Sequence, residues 1–371
     1  MSLVIAEIGT SHQGSLEKAR ALVDTAVNAG ADCVKFQWVY AREIIHPCTG
    51  FVKLPTGNIP LYDRFRELEC PPSFYKEMCD YAHSKNLLFC CSPFGLQSLE
   101  ELLEIKPDSV KIASPELNHF PMLERLRDYR KEQKDKGENP IPVILSSGVS
   151  KMEDIEAAIE ILGTENVSLL HCITSYPAPE DEYNVFVVKT FREKWNIETG
   201  ISDHSLDPIL VPVLTIYAGG SIIEKHITLS RETDGLDDPV ALDGEMFGTM
   251  VHCVKQAETV LHHYGEEKGR KEILSQLSES APVERLMKIL GDGEKKLAPS
   301  EEANYGRTNR SLHFMRAMNA GETVCEKDIA VLRTEKVLSP GISPKFYKEI
   351  IGKKLKISVE NGSGVLHELF E

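Results

Sequence analysis

The chain has 371 residues, of which 42% are hydrophobic and 27% charged, and its formal net charge at pH 7 is -15. This composition is typical of a globular protein with one large domain and one small domain. The negative charge argues against nucleic acid and anionic membrane surfaces as general partners. The sequence shows neither a signal peptide nor an apolar segment long enough to span a membrane, and its nine cysteines form no CxxC pair, so we expect a cytoplasmic protein.

Short apolar runs alternate with amphipathic helical segments in the first part of the chain. The runs lie at residues 3–8, 33–38, 87–92, 109–113, 142–147, 167–172, 197–202 and 221–226. Eight strand–helix units of this size predict a closed (β/α)8 barrel, the TIM barrel, over residues 1–265. The alternative is an open doubly wound sheet. It would need a glycine-rich phosphate turn after its first strand, and the sequence EIGTSHQG there does not supply one.

Three further segments complete the predicted organisation. Residues 39–70 form a long loop rich in Pro, Gly and Thr, and such loops on one rim of a barrel usually shape a binding site. The strand–helix rhythm stops after residue 265, and the charged, helix-leaning residues 266–309 are predicted to be a linker. Residues 310–371 contain short strands separated by Gly turns, which indicates a second, small domain.

Polar residues recur at the carboxyl ends of the predicted barrel strands, which is where TIM barrels carry their functional groups. Any one of them alone is more simply explained as a solvated or internally satisfied rim residue. Their recurrence on strand after strand favours a site. They are Glu7, His12, Lys35, Gln37, Ser92, Lys111, Ser114, Glu116, Ser146, Ser147, His171, Thr174, Ser175, Tyr176, Ser202, Asp203, His204, Glu224, Lys225 and His226.

Three of these residues are lysines that alternate with apolar or polar neighbours. Lys35, Lys111 and Lys225 are each predicted to point into the barrel interior or its mouth. Buried cations need anionic partners, and Glu7 and Glu224 could pair with some of them. A lysine without such a partner would bind an anion such as a phosphate or a carboxylate, and serines and backbone amides would complete the cradle.

Two histidines, His204 and His226, end neighbouring predicted strands and should therefore lie side by side. Two imidazoles with nearby water make an open site for Mn²⁺, Mg²⁺ or Zn²⁺. With only two protein ligands, the ion would be weakly held and completed by water and substrate. The alternative is that Asp203 orients His204 as an acid–base pair without a metal. The spacing alone does not decide between these two hypotheses.

An ordered set of short motifs resembles the sialic acid synthase (N-acetylneuraminate synthase) family, whose members are phosphoenolpyruvate-condensing nonulosonate synthases. Each motif is weak alone, but together they follow the family order over nearly the whole chain. The motifs are AEIGTSHQGS (6–15), VKFQ (34–37), SPF (92–94), KIAS (111–114), ILSSG (144–148), LLHCITSYPAP (169–179), GISDHS (200–205), EKHITL (224–229), LGDGEKKLAPSE (290–301), and RSL with AGE (310–322).

The resemblance implies a TIM barrel followed by a SAF domain, which is related to type III antifreeze protein. It also implies an enzyme, a transferase that forms a C–C bond between phosphoenolpyruvate and an N-acetylated mannosamine-type sugar. The product would be a nine-carbon 2-keto-3-deoxy sugar acid, with release of phosphate. His204 and His226 match the metal-binding histidines, with Mn²⁺ the expected ion and Mg²⁺ the alternative, and Glu7 matches a catalytic carboxylate.

The resemblance and the strand-end pattern together predict the substrate-binding residues. Arg310 resembles an arginine that the SAF domain presents to the sugar's N-acetyl group in the partner subunit of a domain-exchanged homodimer. The other predicted substrate-binding residues are Lys35, Gln37, Ser92, Lys111, Ser114, Ser147, Thr174, Tyr176, Ser202, Lys225 and Asp237.

Several positions differ from the family's usual pattern, among them Gly95, Leu96, Pro115 and Thr174. These differences concern the sugar half of the site, so a synthase of legionaminic or pseudaminic acid, or a spore-coat polysaccharide relative, fits as well as one of N-acetylneuraminate. Two other interpretations stay open. One is a 3-deoxy sugar acid synthase that acts on a phosphorylated aldose, although such enzymes typically lack the SAF-like domain. The other is a non-catalytic carbohydrate-binding relative.

Overall fold

The computed structural model describes residues 2–54, 57–232, 235 and 237–371. Its strands are β1 (Leu3–Gly9), β2 (Cys33–Trp38), β3 (Phe51–Leu54), β4 (Gly57–Pro60), β5 (Leu88–Pro93), β6 (Ser109–Ile112), β7 (Val143–Ser146), β8 (Val167–Cys172), β9 (Glu198–Asp203), β10 (Ile222–His226), β11 (Arg310–Phe314) and β12 (Ile329–Arg333). Its helices are α1 (Leu16–Ala29), α2 (Ala41–Ile44), α3 (Leu61–Arg66), α4 (Pro72–Ser84), α5 (Leu96–Glu104), α6 (Phe120–Asp135), α7 (Met152–Leu162), α8 (Val187–Trp195), α9 (Leu210–Ala218), α10 (Gly244–Ser278), α11 (Val283–Leu290) and α12 (Tyr347–Ile350).

A closed barrel of parallel strands forms the large domain, in the order β1-β10-β9-β8-β7-β6-β5-β2. The ring closes because β1 pairs in parallel with both β10 and β2. Each of the predicted apolar runs overlaps one strand of this ring, so the predicted TIM barrel is confirmed.

The helices pack on the outside of the barrel through apolar stripes of helical spacing. Helix α1 shows the pattern, since it buries Ala19, Leu22, Val23 and Ala26 on one face. It ends at Gly30, whose φ of 82° lies in the left-handed region that glycine adopts without a Cβ clash. This short stop returns the chain directly to β2.

The barrel interior is layered. An apolar floor is formed by Ile5, Cys33, Cys90, Ile144, Leu170 and Ile222. Side chains that lie two positions apart on a strand share a face, so the next inward layer is fixed by the same strands. That layer is polar and lines a cavity at the carboxyl ends of the strands; it contains Glu7, Lys35, Ser92, Ser146, Cys172 and Glu224. The alternation of side chains along the strands therefore places a ring of polar groups above an apolar layer.

The C-terminal domain has its own small core around the antiparallel pair of β11 and β12. Leu312, Phe314, Ile350 and Val365 are fully buried within it. It also contacts the long loop of residues 39–70, where the Thr49 hydroxyl donates to a backbone carbonyl of the C-terminal domain at 2.8 Å. The loop contains α2, the β3–β4 pair and α3. It therefore bridges the barrel rim and the small domain.

The connection between the domains follows the outside and then the rim of the barrel. Helix α10 bends at Gly265, which has φ 75° and ψ 170°, and continues to Ser278. Helix α11 follows, and residues 291–309 then lead to β11 and contact the ends of β7 and β8 through Glu301 and Asn309. The predicted linker 266–309 thus contains helical residues as well as an extended part. Over the part of the chain described here, no helix combines the length and the apolar character needed to cross a membrane.

Candidate active site

A cavity of about 250 Å³ opens at the carboxyl end of the barrel. Barrel residues and the C-terminal domain both line it. All of the residues predicted to be catalytic, metal-binding or substrate-binding lie at its wall except Ser147, Lys225 and Arg310. Those brought together are Glu7, Lys35, Gln37, Ser92, Lys111, Ser114, Thr174, Tyr176, Ser202, His204, His226 and Asp237.

Lys35 forms an ion pair with Glu7 on one side of the cavity. Its Nζ lies 2.6 Å from Glu7 Oε2, and the Gln37 amide donates to Glu7 Oε1 at 2.7 Å. Burial alone would lower the pKa of Lys35, but the nearby carboxylates of Glu224 and Glu7 outweigh burial and raise it above its ordinary value. Lys35 therefore stays an ammonium at neutral pH.

Glu224 forms the second carboxylate of this network. Its Oε1 lies 3.3 Å from Lys111 Nζ and 3.6 Å from Lys35 Nζ, and it accepts from the Ser202 hydroxyl at 2.8 Å. Burial would raise the pKa of Glu224, whereas Lys111, Lys35 and the Ser202 hydroxyl lower it to about 2. The two lysines at the cavity wall are thus each beside a carboxylate, as the sequence suggested they could be.

Hydroxyl groups of the neighbouring strand ends face the same cavity. The oxygens of Ser92, Ser146 and Thr174 are buried and have no hydrogen-bond partner within the described part of the chain. Ser114 differs, since its hydroxyl accepts from the Gly148 amide at 3.0 Å. A buried hydroxyl without a partner costs free energy, so these three groups are well suited to bind ligand oxygens.

His204 and His226 lie side by side on the cavity wall, with ring centroids 5.5 Å apart. Nδ1 of His204 is 2.8 Å from the Ile173 carbonyl, so that nitrogen donates and Nε2 is left to act as a ligand. Nδ1 of His226 is buried and lies 3.9 Å from a carboxylate oxygen of Asp237. The Tyr176 ring packs on His204 with centroids 4.2 Å apart.

The two imidazoles fit a divalent cation as a pair of nitrogen ligands. Among the residues that the structure describes, no group of three or more His, Cys, Asp or Glu side chains is arranged to hold a metal. An ion here would need water or substrate oxygens to complete its coordination, as the sequence suggested. Burial lowers the pKa of His226, which favours its neutral, ligating form. Burial also lowers the pKa of His204, but the Cys172 sulfur and the Ile173 carbonyl outweigh it and raise that pKa to about 9. A cation that binds His204 would therefore have to displace a proton from its Nε2.

The alternative role of Asp203 receives no support from the geometry. Its carboxylate contacts Lys225 Nζ at 2.5 Å and accepts from the Ser205 amide at 2.8 Å. The His204 ring nitrogen is instead oriented by the Ile173 carbonyl. The hypothesis that Asp203 and His204 form an acid–base pair is therefore not the arrangement observed.

Two predicted binding residues, Lys225 and Ser147, do not line the cavity. The alternation of side chains along a strand explains both positions. Glu224 and His226 face inward, so Lys225 between them faces outward. Lys225 is buried in its ion pair with Asp203. In the same way Ser146 faces the cavity, and Ser147 beside it is buried elsewhere. The geometry therefore does not place these two residues where they were predicted to bind substrate.

Arg310 differs from its predicted place as well. It is fully buried and donates to the Glu116 carboxylate of the same chain at 2.8 Å, because residues 291–309 lie along the chain's own rim. The arginine that lines the cavity is Arg333, which donates to the same Glu116 oxygen at 2.7 Å. The domain-exchanged homodimer stays a prediction, and in this chain the small domain contacts its own barrel.

A family model described as the NeuB family matches residues 22–266, and a SAF domain model matches residues 309–371. The chain belongs to the NeuB family. It is similar to N,N'-diacetyllegionaminic acid synthase of Legionella pneumophila, with 27% identity over 99% of this chain and 94% of that protein. It is also similar to pseudaminic acid synthase of Campylobacter jejuni, with 29% identity over 98% of this chain and 94% of that protein. The solved structure of spore coat polysaccharide biosynthesis protein spsE from Bacillus subtilis matches with a TM-score of 0.79 at 26% identity, covering 100% of this chain and 95% of that one.

Four polar or sulfur-bearing residues of this NeuB-family cavity were missed by the sequence analysis as site residues: Thr10, Cys172, Thr308 and Arg333. For Cys172 a signal was present, because Leu170 and Cys172 share one strand face, whereas the polar His171 between them points away and contacts the Tyr183 carbonyl at 2.6 Å. Thr308 and Arg333 come from outside the barrel, and no periodicity in the barrel strands indicates them.

Proposed function

We propose that this NeuB-family protein condenses phosphoenolpyruvate with an N-acylated amino sugar of the mannosamine type and releases phosphate. The product would be a nine-carbon 2-keto-3-deoxy sugar acid. One observation carries the proposal: His204 and His226 share a cavity wall with the Lys35 and Lys111 ammonium groups. The names of the relatives, which are synthases of legionaminic and pseudaminic acids, support the same reaction class.

The lysine side of the cavity suits the anionic donor. Lys35 and Lys111 are buried in the barrel, and the same cavity is lined by Ser92 and Ser146, whose hydroxyls have no partner among the described residues. Ammonium groups and hydroxyl donors in a buried site bind phosphate and carboxylate oxygens through charge-assisted hydrogen bonds. We assign the phosphate and carboxylate of phosphoenolpyruvate to this side.

The histidine side suits the aldehyde of the open-chain sugar. His204 and His226 would hold a divalent cation, with Mn²⁺ the first candidate and Mg²⁺ the second. When bound there, the cation would supply Lewis-acid polarisation of the aldehyde oxygen. Tyr176 and Asp237, which surround these rings, would hold the sugar in place, and Arg333 lies on the same cavity wall.

Glu7 is positioned for proton transfer between the two halves of the site. C3 of the donor attacks the aldehyde carbon, water adds at C2, and the resulting tetrahedral centre expels phosphate. These steps require one group that takes a proton from water or gives one to an oxygen. Glu7 is held by Lys35 and Gln37 at the cavity wall, which fixes its carboxylate without removing it from the cavity.

The test is phosphate release from phosphoenolpyruvate with Mn²⁺ and a panel of acceptors. The panel contains N-acetylmannosamine, its diacetylated analogues and a phosphorylated aldose. We expect release only with the N-acylated sugars, and His204→Ala or His226→Ala should abolish it. Release with the phosphorylated aldose alone would favour the 3-deoxy sugar acid alternative. Sugar binding without turnover would favour the non-catalytic one.

A further inference from the structure

The segment that joins the two domains carries a buried carboxylate to which the proposed chemistry gives no role. Glu301 ends a short turn, Pro299–Glu301, and its side chain is fully buried. Its Oε1 accepts from the backbone amides of Val149 and Thr174, both at 2.7 Å, and its Oε2 accepts from the Ala298 amide at 3.2 Å. One carboxylate therefore ties the linker to two separate loops of the barrel.

Both of these loops carry cavity residues. Val149 follows the end of β7, where Ser146 faces the cavity and Gly148 donates to Ser114. Thr174 follows the end of β8 and lines the cavity itself. Glu301 thus holds the backbone beside two groups of the proposed substrate site.

The two loops are also packed directly on each other. A Cβ added to Gly148 would lie 2.0 Å from the Thr174 hydroxyl and 2.8 Å from that of Ser114. The two loops are therefore tightly packed, and a shift of either loop would change the position of the Thr174 hydroxyl. Glu301 bonds to the residue after Gly148 and to Thr174, so it sets this spacing from both sides.

Val149 needs external support to keep its conformation. Its φ of 42° is left-handed, which is unfavourable for a β-branched residue and persists only where the surroundings impose it. The linker satisfies both of its backbone groups, since the amide donates to Glu301 and the carbonyl accepts from the Asn309 side chain at 2.9 Å. The strained turn is therefore held by residues that belong to the linker and not to the barrel.

We propose that Glu301 is a positioning residue that fixes the β7 and β8 loops for substrate binding; this role rests on the proposed function. Glu301 lies on the connection to the C-terminal domain. The position of that connection on the barrel is therefore coupled to the shape of the part of the cavity assigned to phosphoenolpyruvate. Its action is indirect, through the backbone amides of Val149 and Thr174. No contact of Glu301 with substrate is involved.

The test compares Glu301→Ala with Glu301→Gln. The alanine variant loses every acceptor, and we expect kcat/KM for phosphoenolpyruvate to fall about tenfold to a hundredfold, the effect of losing a charge-assisted hydrogen bond. Glutamine keeps one oxygen for the Val149 and Thr174 amides and should recover to within about threefold of the original protein. Hydrogen–deuterium exchange should become faster in the peptides around residues 149 and 174 of the alanine variant, while the barrel strands stay protected.

Glu182→Ala is the matched control. Glu182 accepts from the amide of Ser300, so it holds the same turn from the other side, without a contact to Val149 or Thr174. We expect its kcat/KM to stay within about twofold of the original protein. Equal losses in Glu182→Ala and Glu301→Ala, or unchanged kinetics in Glu301→Ala, would overturn the positioning role. If the alanine variant does not fold, Glu301→Gln alone tests the positioning role. A fall in its kcat/KM as large as the one caused by substituting a residue of the cavity wall would overturn that role, because glutamine keeps the oxygen that accepts from Val149 and Thr174.

The proposed function and the positioning role can fail separately. A protein that releases no phosphate with any acceptor refutes the proposed function, and phosphoenolpyruvate binding measured by calorimetry then replaces turnover as the readout. Weaker binding in Glu301→Ala, with faster local exchange, supports the positioning role in that case. Unchanged binding, or no binding by the original protein, overturns it.

Discussion

The buried ion pair between Arg310 and Glu116 gives a direct measure of whether the C-terminal domain sits on its own barrel. Both side chains are 0% exposed, and Glu116 also accepts from Arg333. We consider the change Glu116→Gln, which removes the negative charge and leaves both guanidinium groups. Removing one partner of a buried pair costs about 3–5 kcal/mol, because the remaining charge stays desolvated.

The cost for Glu116→Gln should fall at the lower end of this range. Arg310 also donates to the carbonyls of Phe94 and Val331, at 2.6 and 3.2 Å, and these bonds remain after the substitution. We therefore expect the free energy of unfolding to fall by about 3 kcal/mol. Combining Glu116→Gln with Arg310→Met should cost less than the sum of the two single changes, because the second removes the charge that the first leaves unpaired.

The assay is urea unfolding followed by circular dichroism at two protein concentrations. The exposed pair of Arg125 and Glu100, with side chains 30% and 47% exposed, supplies the control. Glu100→Gln should cost less than about 1 kcal/mol. Because the buried pair lies within one chain, the loss in Glu116→Gln should not depend on protein concentration. A loss below about 1 kcal/mol, or one that changes with concentration, would refute the intrachain arrangement and favour the exchanged homodimer.

Two further results follow from the site. Ser146→Ala should weaken phosphoenolpyruvate binding about tenfold in calorimetry, whereas Ser147→Ala should leave it unchanged, because only Ser146 faces the cavity. The pKa of Glu224 is lowered from 4.5 to about 2, so its contribution to stability is complete above pH 4.5 and is lost as the pH falls towards 2. Between pH 4.5 and 2 the free energy of unfolding of the original protein should fall by on the order of 3 kcal/mol because of Glu224, and Glu224→Gln should not show this fall. Acid unfolding curves that are identical for the two proteins would contradict this.

The barrel and most of its cavity could be predicted from the sequence because both depend on local periodicity. Apolar runs of strand length, each followed by a helical stripe, leave few folds other than a TIM barrel. The carboxyl ends of the strands then meet at one rim whatever the packing details. To predict that Glu7, Lys35 and His226 lie at that rim, it was therefore enough to know the number of strands and the direction of the chain.

The incorrect assignments within the barrel came from neglecting the same periodicity. Glu224, Lys225 and His226 are consecutive on one strand, so they cannot all face one side. Once Glu224 and His226 are placed inward, Lys225 must face outward, and the sequence already contains this information. The same reasoning separates Ser146 from Ser147.

The choice between Arg310 and Arg333 could not be made from the sequence. The two residues lie directly opposite each other on β11 and β12, and both reach Glu116. Which of them also faces the cavity depends on how the C-terminal domain is seated on the barrel. That seating depends on contacts such as those of Glu301 and Asn309 with Val149, which join residues far apart in the chain.

The charges at the cavity wall show what a divalent cation would add to the proposed reaction. Within the described residues the wall carries three basic side chains, Lys35, Lys111 and Arg333, and three acidic ones, Glu7, Glu224 and Asp237. The lysine, arginine and carboxylate charges balance, and a protonated His204 adds one positive charge at most, so the side chains alone offer little net attraction to a donor with a phosphate and a carboxylate. A cation at His204 and His226 would supply the missing positive charge.

Phosphoenolpyruvate should therefore bind at least about tenfold more tightly with Mn²⁺ than with a chelator in calorimetry, and Mn²⁺ should bind more tightly by the same factor in the presence of phosphoenolpyruvate. Equal affinities with and without Mn²⁺ would contradict this electrostatic argument, because the balanced wall would then be sufficient by itself.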